Sequence, residues 1–373
     1  KDYEKCFYQF ACQTKMSYYT HFLLLVLFSL VFCSCIRKTT NGTIALEVSS
    51  NHISDWKDKL VFDECHALKG TDSIMLSTIS KCLIDDEQII IYDGKSRKIF
   101  AFRKDGQFIH QIGCEGRANS EYMNVKDIAF SSDHSLLYLL DDLGIVVYDA
   151  QTGKFQEREE IKLPDPTNYR KLAVIASKHY LLFNPHEDGL GEIIEYRDGE
   201  WTDLRKAGFY QLDCGRFYTF KDKIRILPSY GDFKICSFNN ESLAPFIDFE
   251  FEEGALPDEL KPKSFREFLS VSEERRWFDC VLSACETSSW IYANVTGPKD
   301  KSYWIFGNKE NSTVLSGPMP TEDGMQIIGS DEGCFYAIIH SELVSEDSYI
   351  QNVINGLGQS NENLFFVSFH VKG

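Results

Sequence analysis

The sequence predicts an all-β fold, a six-bladed β-propeller carrying a short helical insertion between blades four and five. Three observations carry this reading. A block of apolar strand, acidic turn, aromatic-ended strand, Gly-containing hairpin and further strand recurs, first over residues 88–113 and again over 136–162. The hairpin glycines Gly106, Gly153 and Gly199 stand 47 and 46 residues apart. A period of roughly 40–50 residues with several strands per unit is the signature of a propeller blade. Aromatic residues make up 14% of the 373-residue chain, with 28 Phe and 18 Tyr, a composition suited to many strands.

In chain order, residues 1–35 read as an upstream segment and a targeting signal. Residue 1 is Lys, and Met16 is the better translation start. From there SYYTH leads into the apolar stretch FLLLVLFSLVF at 22–32. A membrane-spanning helix needs about 20 apolar residues, so this shorter run has the length of a signal-peptide core. The segment Phe32-Cys33-Ser34-Cys35 resembles a bacterial lipobox of the kind carried by Bacteroidota lipoproteins. That resemblance implies lipidation of Cys35 and membrane anchoring. A plain secretory signal and a short membrane anchor are the other readings of the same run. Surface-exported lipoproteins often carry acidic residues after the lipidated cysteine, whereas Arg37 and Lys38 follow here. The expected location is therefore the bacterial cell envelope, periplasm-facing rather than surface-exposed. Residues 36–58 then read as a polar tether and 59–373 as the propeller.

Each blade follows from its strand runs. Blade one uses IMLSTI, QIIIYD, KIFAFR and FIHQIG. Blade two uses VKDIAF, LLYLL, GIVVYD and KFQEREEI. Runs such as QIIIY and LLYLL are apolar throughout, as expected of strands buried on both faces between neighbouring blades. Asp105-Gly106, Thr152-Gly153 and Asp198-Gly199 supply the positive φ of tight hairpins. Asn239-Asn240 is the corresponding turn of blade four. The insertion spans 252–277. There Ser264-x-x-Glu267 reads as a capping box, and Phe265, Phe268 and Leu269 share one helical face, predicting a short helix over one end of the ring. The strand near Leu60–Phe62 is expected beside the terminal strand Leu364–Val371, because closure removes the open edges of the ring.

Net charge is −17, which argues against a nucleic-acid partner, since binding a polyanion relies on clustered Lys and Arg. Twelve cysteines are present, but no C-x-x-C. Several, such as Cys236 and Cys334, sit inside strand-like runs and read as buried free thiols. Cys280 and Cys285 are close enough in sequence to bridge, but nothing requires it. No H-E-x-x-H, G-x-S-x-G, P-loop or EF-hand loop occurs, and no two of the nine His lie four residues apart. No catalytic, cofactor-binding or metal-ligating residue is assigned. Asp93, Asp141 and Asp142 end second strands and read as turn caps, with a cation at the channel mouth as the alternative.

One stretch carries a family pattern. KIFAFRKDGQFIHQIGCEGRANSEYMNVKDIAF places Phe102, Gly106, Gly113, Gly116, Glu121, Tyr122, Ile128 and Phe130 in the order of an aromatic strand, a Gly turn, a G-x-x-G segment, Glu-Tyr and a further strand. It resembles the six-bladed β-propeller lipoproteins of Bacteroidota, which are related to NHL-type propellers. Gly113, Gly116, Glu121 and Tyr122 read as a structural loop, the carboxylate accepting backbone N–H groups while the ring packs. The resulting expectation is a non-catalytic binding or scaffold module for a protein, peptide or glycan of the envelope. His186, Arg266 and Glu273 are the candidate rim contacts. The alternative is a propeller enzyme, a lyase or hydrolase, with its site at the channel mouth. Polar side chains converging there favour the enzyme, and an apolar rim favours binding.

Overall fold

The computed structural model describes residues 42–49, 56–69, 76–162, 168–185, 192–206, 215–239, 242–274, 276–320, 323–346, 348–356 and 363–372. Two strands open this part of the chain, β1 (Ile44–Val48) and β2 (Leu60–Ala67). Blade one is β3 (Ile79–Ile84), β4 (Gln88–Asp93), β5 (Lys98–Arg103) and β6 (Phe108–Ile112). Blade two is β7 (Asp127–Phe130), β8 (Leu136–Asp141), β9 (Gly144–Asp149) and β10 (Phe155–Glu159). Blade three is β11 (Lys171–Ala176), β12 (His179–Phe183), β13 (Ile193–Arg197) and β14 (Glu200–Arg205). Blade four is β15 (Phe217–Phe220), β16 (Lys223–Ile226), β17 (Lys234–Asn239) and β18 (Ser242–Phe251), with β1 added outside. Blade five is β19 (Cys280–Glu286), β20 (Trp290–Gly297), β21 (Lys301–Asn308) and β22 (Val314–Pro318). Blade six is β23 (Asp323–Ser330), β24 (Phe335–Val344) and β25 (Leu364–Val371), completed by β2.

The inner strands touch one another in succession, and β23 meets β3, so the ring closes. Closure joins chain segments 300 residues apart. β2 runs antiparallel to β25, with Leu60 opposite Val371 and Ala67 opposite Phe365, which is the pairing the sequence leads one to expect. An apolar cluster fills each junction between neighbouring blades. The reason is visible in β4. Strand side chains alternate between two faces, and here both faces meet a blade. Ile89 and Ile91 pack toward blade six, Ile90 and Tyr92 toward blade two. Each fully buried side chain of this kind contributes about 1.5–3 kcal/mol.

Within the segment read as a tether, Ile44–Val48 form β1, which pairs parallel to β18 with Ile44 opposite Ile247 and Val48 opposite Phe251. Leu46 is fully buried. It fits because position 307 is glycine, where a Cβ would stand 2.4 Å from Leu46 Cδ1. Gly106 is constrained twice over. Its φ is +84°, and a Cβ would approach the Ala67 carbonyl oxygen to 2.0 Å.

Each blade is an antiparallel meander, so the connections between blades and the second-to-third strand links share one end of the ring. The insertion lies in one such connection and forms α1 (Phe265–Glu274). Its capping box forms with the return bond shifted one residue before the cap. The Glu267 N–H donates to Ser264 Oγ, and the Lys263 N–H donates to Glu267 Oε2 at 2.8 Å. The buried face of α1 departs from expectation. Phe268 and Val271 pack on Tyr230, Leu256 and Cys280, while Leu269 is exposed. A second helix, α2 (Tyr349–Gly356), occupies the β24–β25 link at the same end and buries Ile350 and Ile354 against blade six. The sequence reading did not place it.

Candidate functional site

A cavity of about 1120 Å³ runs along the ring axis, walled by β3, β7, β11, β15, β19 and β23. Polar locks join the blades around it. Asp127, buried at the start of β7, accepts Lys81 Nζ from blade one at 2.6 Å and the Leu172 N–H from blade three at 2.9 Å. Glu192, at the β12–β13 link, accepts Arg205 Nη2 at 2.9 Å and Ser229 Oγ from blade four. Glu286, fully buried, accepts Arg225 Nε at 2.7 Å and Lys309 Nζ at 2.6 Å, while its carbonyl accepts Ser330 Oγ from blade six. Each carboxylate spans a blade junction. These ionic links add directional contacts to the apolar packing of the junctions.

The end of the cavity opposite the helices is ringed by Asp85, Asp86, Asp222, Asp331 and Glu332, with Lys221 and His134. Several of these groups are already engaged. Asp85 caps its own turn through the N–H groups of Glu87 and Gln88. Asp331 accepts the N–H groups of Gly333 and Cys334 and the Tyr336 hydroxyl. Glu332 pairs with Lys221 at 2.8 Å, and the His134 ring stacks on Phe130. Among the described residues no group of three His, Cys, Asp or Glu side chains is arranged to hold a metal ion. The seven described cysteines form no disulfide, Cys280 and Cys285 included. Burial pushes the Cys65 thiol up to about 11 and Cys285 up to about 12, so neither is a thiolate near neutral pH.

The Gly113–Tyr122 loop lies between blades one and two at the helix-bearing end and takes no part in the cavity wall. Tyr122 is buried against Tyr92, Ile128 and Tyr148. The Glu121 carboxylate accepts the Ala118 N–H at 2.8 Å. A Cβ on Gly116 would stand 1.9 Å from Glu121 Oε2, and one on Gly113 would stand 2.6 Å from the Tyr148 hydroxyl. Arg158 clamps the loop from blade two. It donates to the Glu121 carbonyl and forms a two-pronged pair with Asp141 at 3.1 and 3.0 Å. Asp93 gathers the N–H groups of Ser77, Thr78, Lys95 and Ser96, so it organises turns. Arg266 is exposed on α1. Cys35, His186 and the Glu273 side chain lie outside the described residues.

Between blades five and six the cavity extends sideways. This arm is lined by Tyr292 and Asn294 of β20, Ser302 and Trp304 of β21, and Met319 and Met325. It was missed because its residues come from distant stretches. The signal available was Asn294, a polar residue in the run WIYANV, on the same strand face as Trp290 and Tyr292.

Two half-buried imidazoles make stability depend on pH. Burial lowers the pKa of His110 and of His340 from 6.5, against the opposing pull of Asp149 and Glu342 respectively. Between each lowered value and 6.5 the unfolded chain binds more protons, so stability rises with pH there and is lost as pH falls below 6.5. The melting midpoint is expected to drop on acidification from pH 7 to 5, and less so in the double variant His110→Gln/His340→Gln. An equal drop in both proteins would refute the assignment.

The fold and cavity define a six-bladed, ring-closed β-propeller. The chain belongs to the family described as "Domain of unknown function (DUF4934)", whose model matches residues 67–363. Comparison with curated proteins finds no match. Among solved structures, the chain is similar to a protein described as exported from Bacteroides fragilis, at 12% identity and a TM-score of 0.71, covering 88% of this chain and 100% of that one. It is also similar to a DUF4221-family member from Bacteroides vulgatus, at 10% identity and a TM-score of 0.57, covering 85% and 99%. At these identities the likeness establishes the fold.

Proposed function

We propose that the protein is a non-catalytic binding module of the bacterial cell envelope, anchored through Cys35, periplasm-facing, and capturing a partner at the helix-bearing end of the propeller. One observation carries the reading. Among the described residues both α-helices, α1 and α2, stand at that end, and the sideways arm of the cavity lies there too. Support comes from what the opposite mouth lacks, since many of its acids are committed to turns and ion pairs rather than facing a common point. Arg266 on α1 faces solvent as a rim contact should, with Glu273 and His186 proposed beside it.

Replacing residues 258–276 by a short Gly-Ser linker is the test. The variant is expected to keep its melting transition, because among the described side chains α1 adds Phe268 and Val271 to a peripheral cluster. Crosslinking in envelope preparations should then lose the species captured by the wild-type chain. Retained capture, together with turnover of a glycan or peptide panel, would replace this reading by an enzyme. In the same cells Cys35→Ala should move the protein from the membrane to the soluble fraction, and a variant still pelleting with membranes would refute the anchor.

A further inference from the structure

We infer that the arm of the cavity between blades five and six is an anchor pocket for the indole ring of a tryptophan in a partner peptide. This rests on the binding reading above and names the chemistry of what is bound. The pocket exists because one face of β20 changes character along its length. Trp290 and Tyr292 pack into the junction with blade six, and Asn294 follows on the same face. The other face stays apolar through Ile291, Ala293 and Val295. Asn294 lies directly across from Trp304 and diagonally from Ser302, so an amide and a hydroxyl share the pocket with two aromatic rings.

Asn294 Oδ1 is buried and accepts no hydrogen bond from any described residue. A buried acceptor left unmet costs free energy that a ligand N–H recovers. These lining side chains, with Ser283 of β19 standing opposite Asn294, carry no formal charge, so a charged occupant would be desolvated without a counter-charge. Met319 and Met325 give the walls polarizable thioethers, which favour contact with aromatic rings. Indole is an apolar ring with a single donor and no acceptor. That count matches one orphaned acceptor among apolar walls.

The test titrates the intact chain with N-acetyltryptophanamide, its 1-methylindole analogue and maltotriose, read by saturation-transfer NMR and calorimetry. The tryptophan amide is expected to bind. The methylated analogue, which lacks the N–H, should bind roughly tenfold more weakly, the counterpart of about 1.4 kcal/mol for one hydrogen bond. Asn294→Leu should erase the difference between the two, and Ser302→Trp should fill the pocket and abolish both. Melting curves identify any variant that fails to fold, and the methylated analogue tests the hydrogen bond on the wild-type chain alone. Equal affinity for the two indoles, binding of maltotriose alone, or no binding of any probe would overturn the assignment. If the 258–276 replacement loses capture yet still binds the indole, the pocket and the helical rim act separately. If capture survives while no indole binds, this inference fails and the binding reading stands.

Discussion

A chain shortened to residue 362 is expected to lose its cooperative melting transition and to aggregate. β25 is the third strand of blade six and the only link between β24 and β2. Its removal deletes Leu364, Phe365, Phe366, Val367, Phe369 and Val371, all buried. At about 1.5–3 kcal/mol each, that loss is comparable to the whole stability of a typical domain, about 5–15 kcal/mol. It also bares the ladder edges of β24 and β2, which then offer themselves to other chains. Calorimetry and light scattering would measure both effects. The point variant Val367→Asp grades the same prediction, since it sets an unpaired charge at a fully buried position and should cost several kcal/mol, the range of about 4–5 that marks severe core damage. A truncated chain with an unshifted midpoint would show that the ring does not depend on this closure.

Glu286→Ala is the second large effect, expected to destabilise the fold by about 3–5 kcal/mol, because it strands charges rather than merely deleting a contact. The Arg225 and Lys309 side chains are 7% and 11% exposed, and the Glu286 carboxylate is fully buried between them. Arg225 also stacks on Phe246, and Lys309 lies over the Phe220 ring. Burial lowers the Lys309 pKa from 10.5 even with Glu286 beside it. A lowered pKa means the unfolded chain binds more protons between that value and 10.5. The penalty of the charged amine is therefore complete below the lowered value and gone above 10.5. Without Glu286 that window should widen, so the variant should recover stability with rising pH more than the wild type. Replacing all three polar groups by apolar residues should cost far less than Glu286→Ala. Chemical denaturation of the three proteins decides between an ionic lock and simple packing. Equal losses in Glu286→Ala and the triple variant would remove the lock.

The blades were legible in the sequence because a blade is built from local hairpins. β4 and β5 are separated by four residues, and their apolar runs with the intervening turn announce the pairing. Ring closure was legible for a different reason. A propeller without a closing partner is unstable, and the strand-like ends of the chain were available to supply one. β1 was not legible. IALEV places Ile44, Leu46 and Val48 on one face, but five residues within a polar segment do not declare a partner 200 positions away. On α1 the assignment of Leu269 to the buried face failed because the helix rests on a small cluster around Tyr230. That cluster accommodates Phe268 and Val271 and leaves Leu269 outside. In the Gly113–Tyr122 motif Gly116 and Glu121 meet within six residues, whereas Gly113 meets Tyr148 of blade two, a contact no local pattern announces. The arm between blades five and six and the Glu286 lock join side chains from separate strands, and periodicity carries no information about such meetings.

The parallel strand β1 has a mechanical consequence. Tension entering the chain from residues before Thr43 reaches the β1–β18 ladder before it reaches β2. The five paired residues of β1, with Leu46 seated against Gly307, would have to be pulled free before any load arrived at the strand that closes the ring. The closing blade is thereby insulated from force entering ahead of Thr43, as a knot in a rope spares the splice behind it. In a single-molecule pulling experiment from that end, extension should begin with a short step that releases β1 and only later unravel blade six. Leu46→Gly should lower the force of the first step and leave the second unchanged.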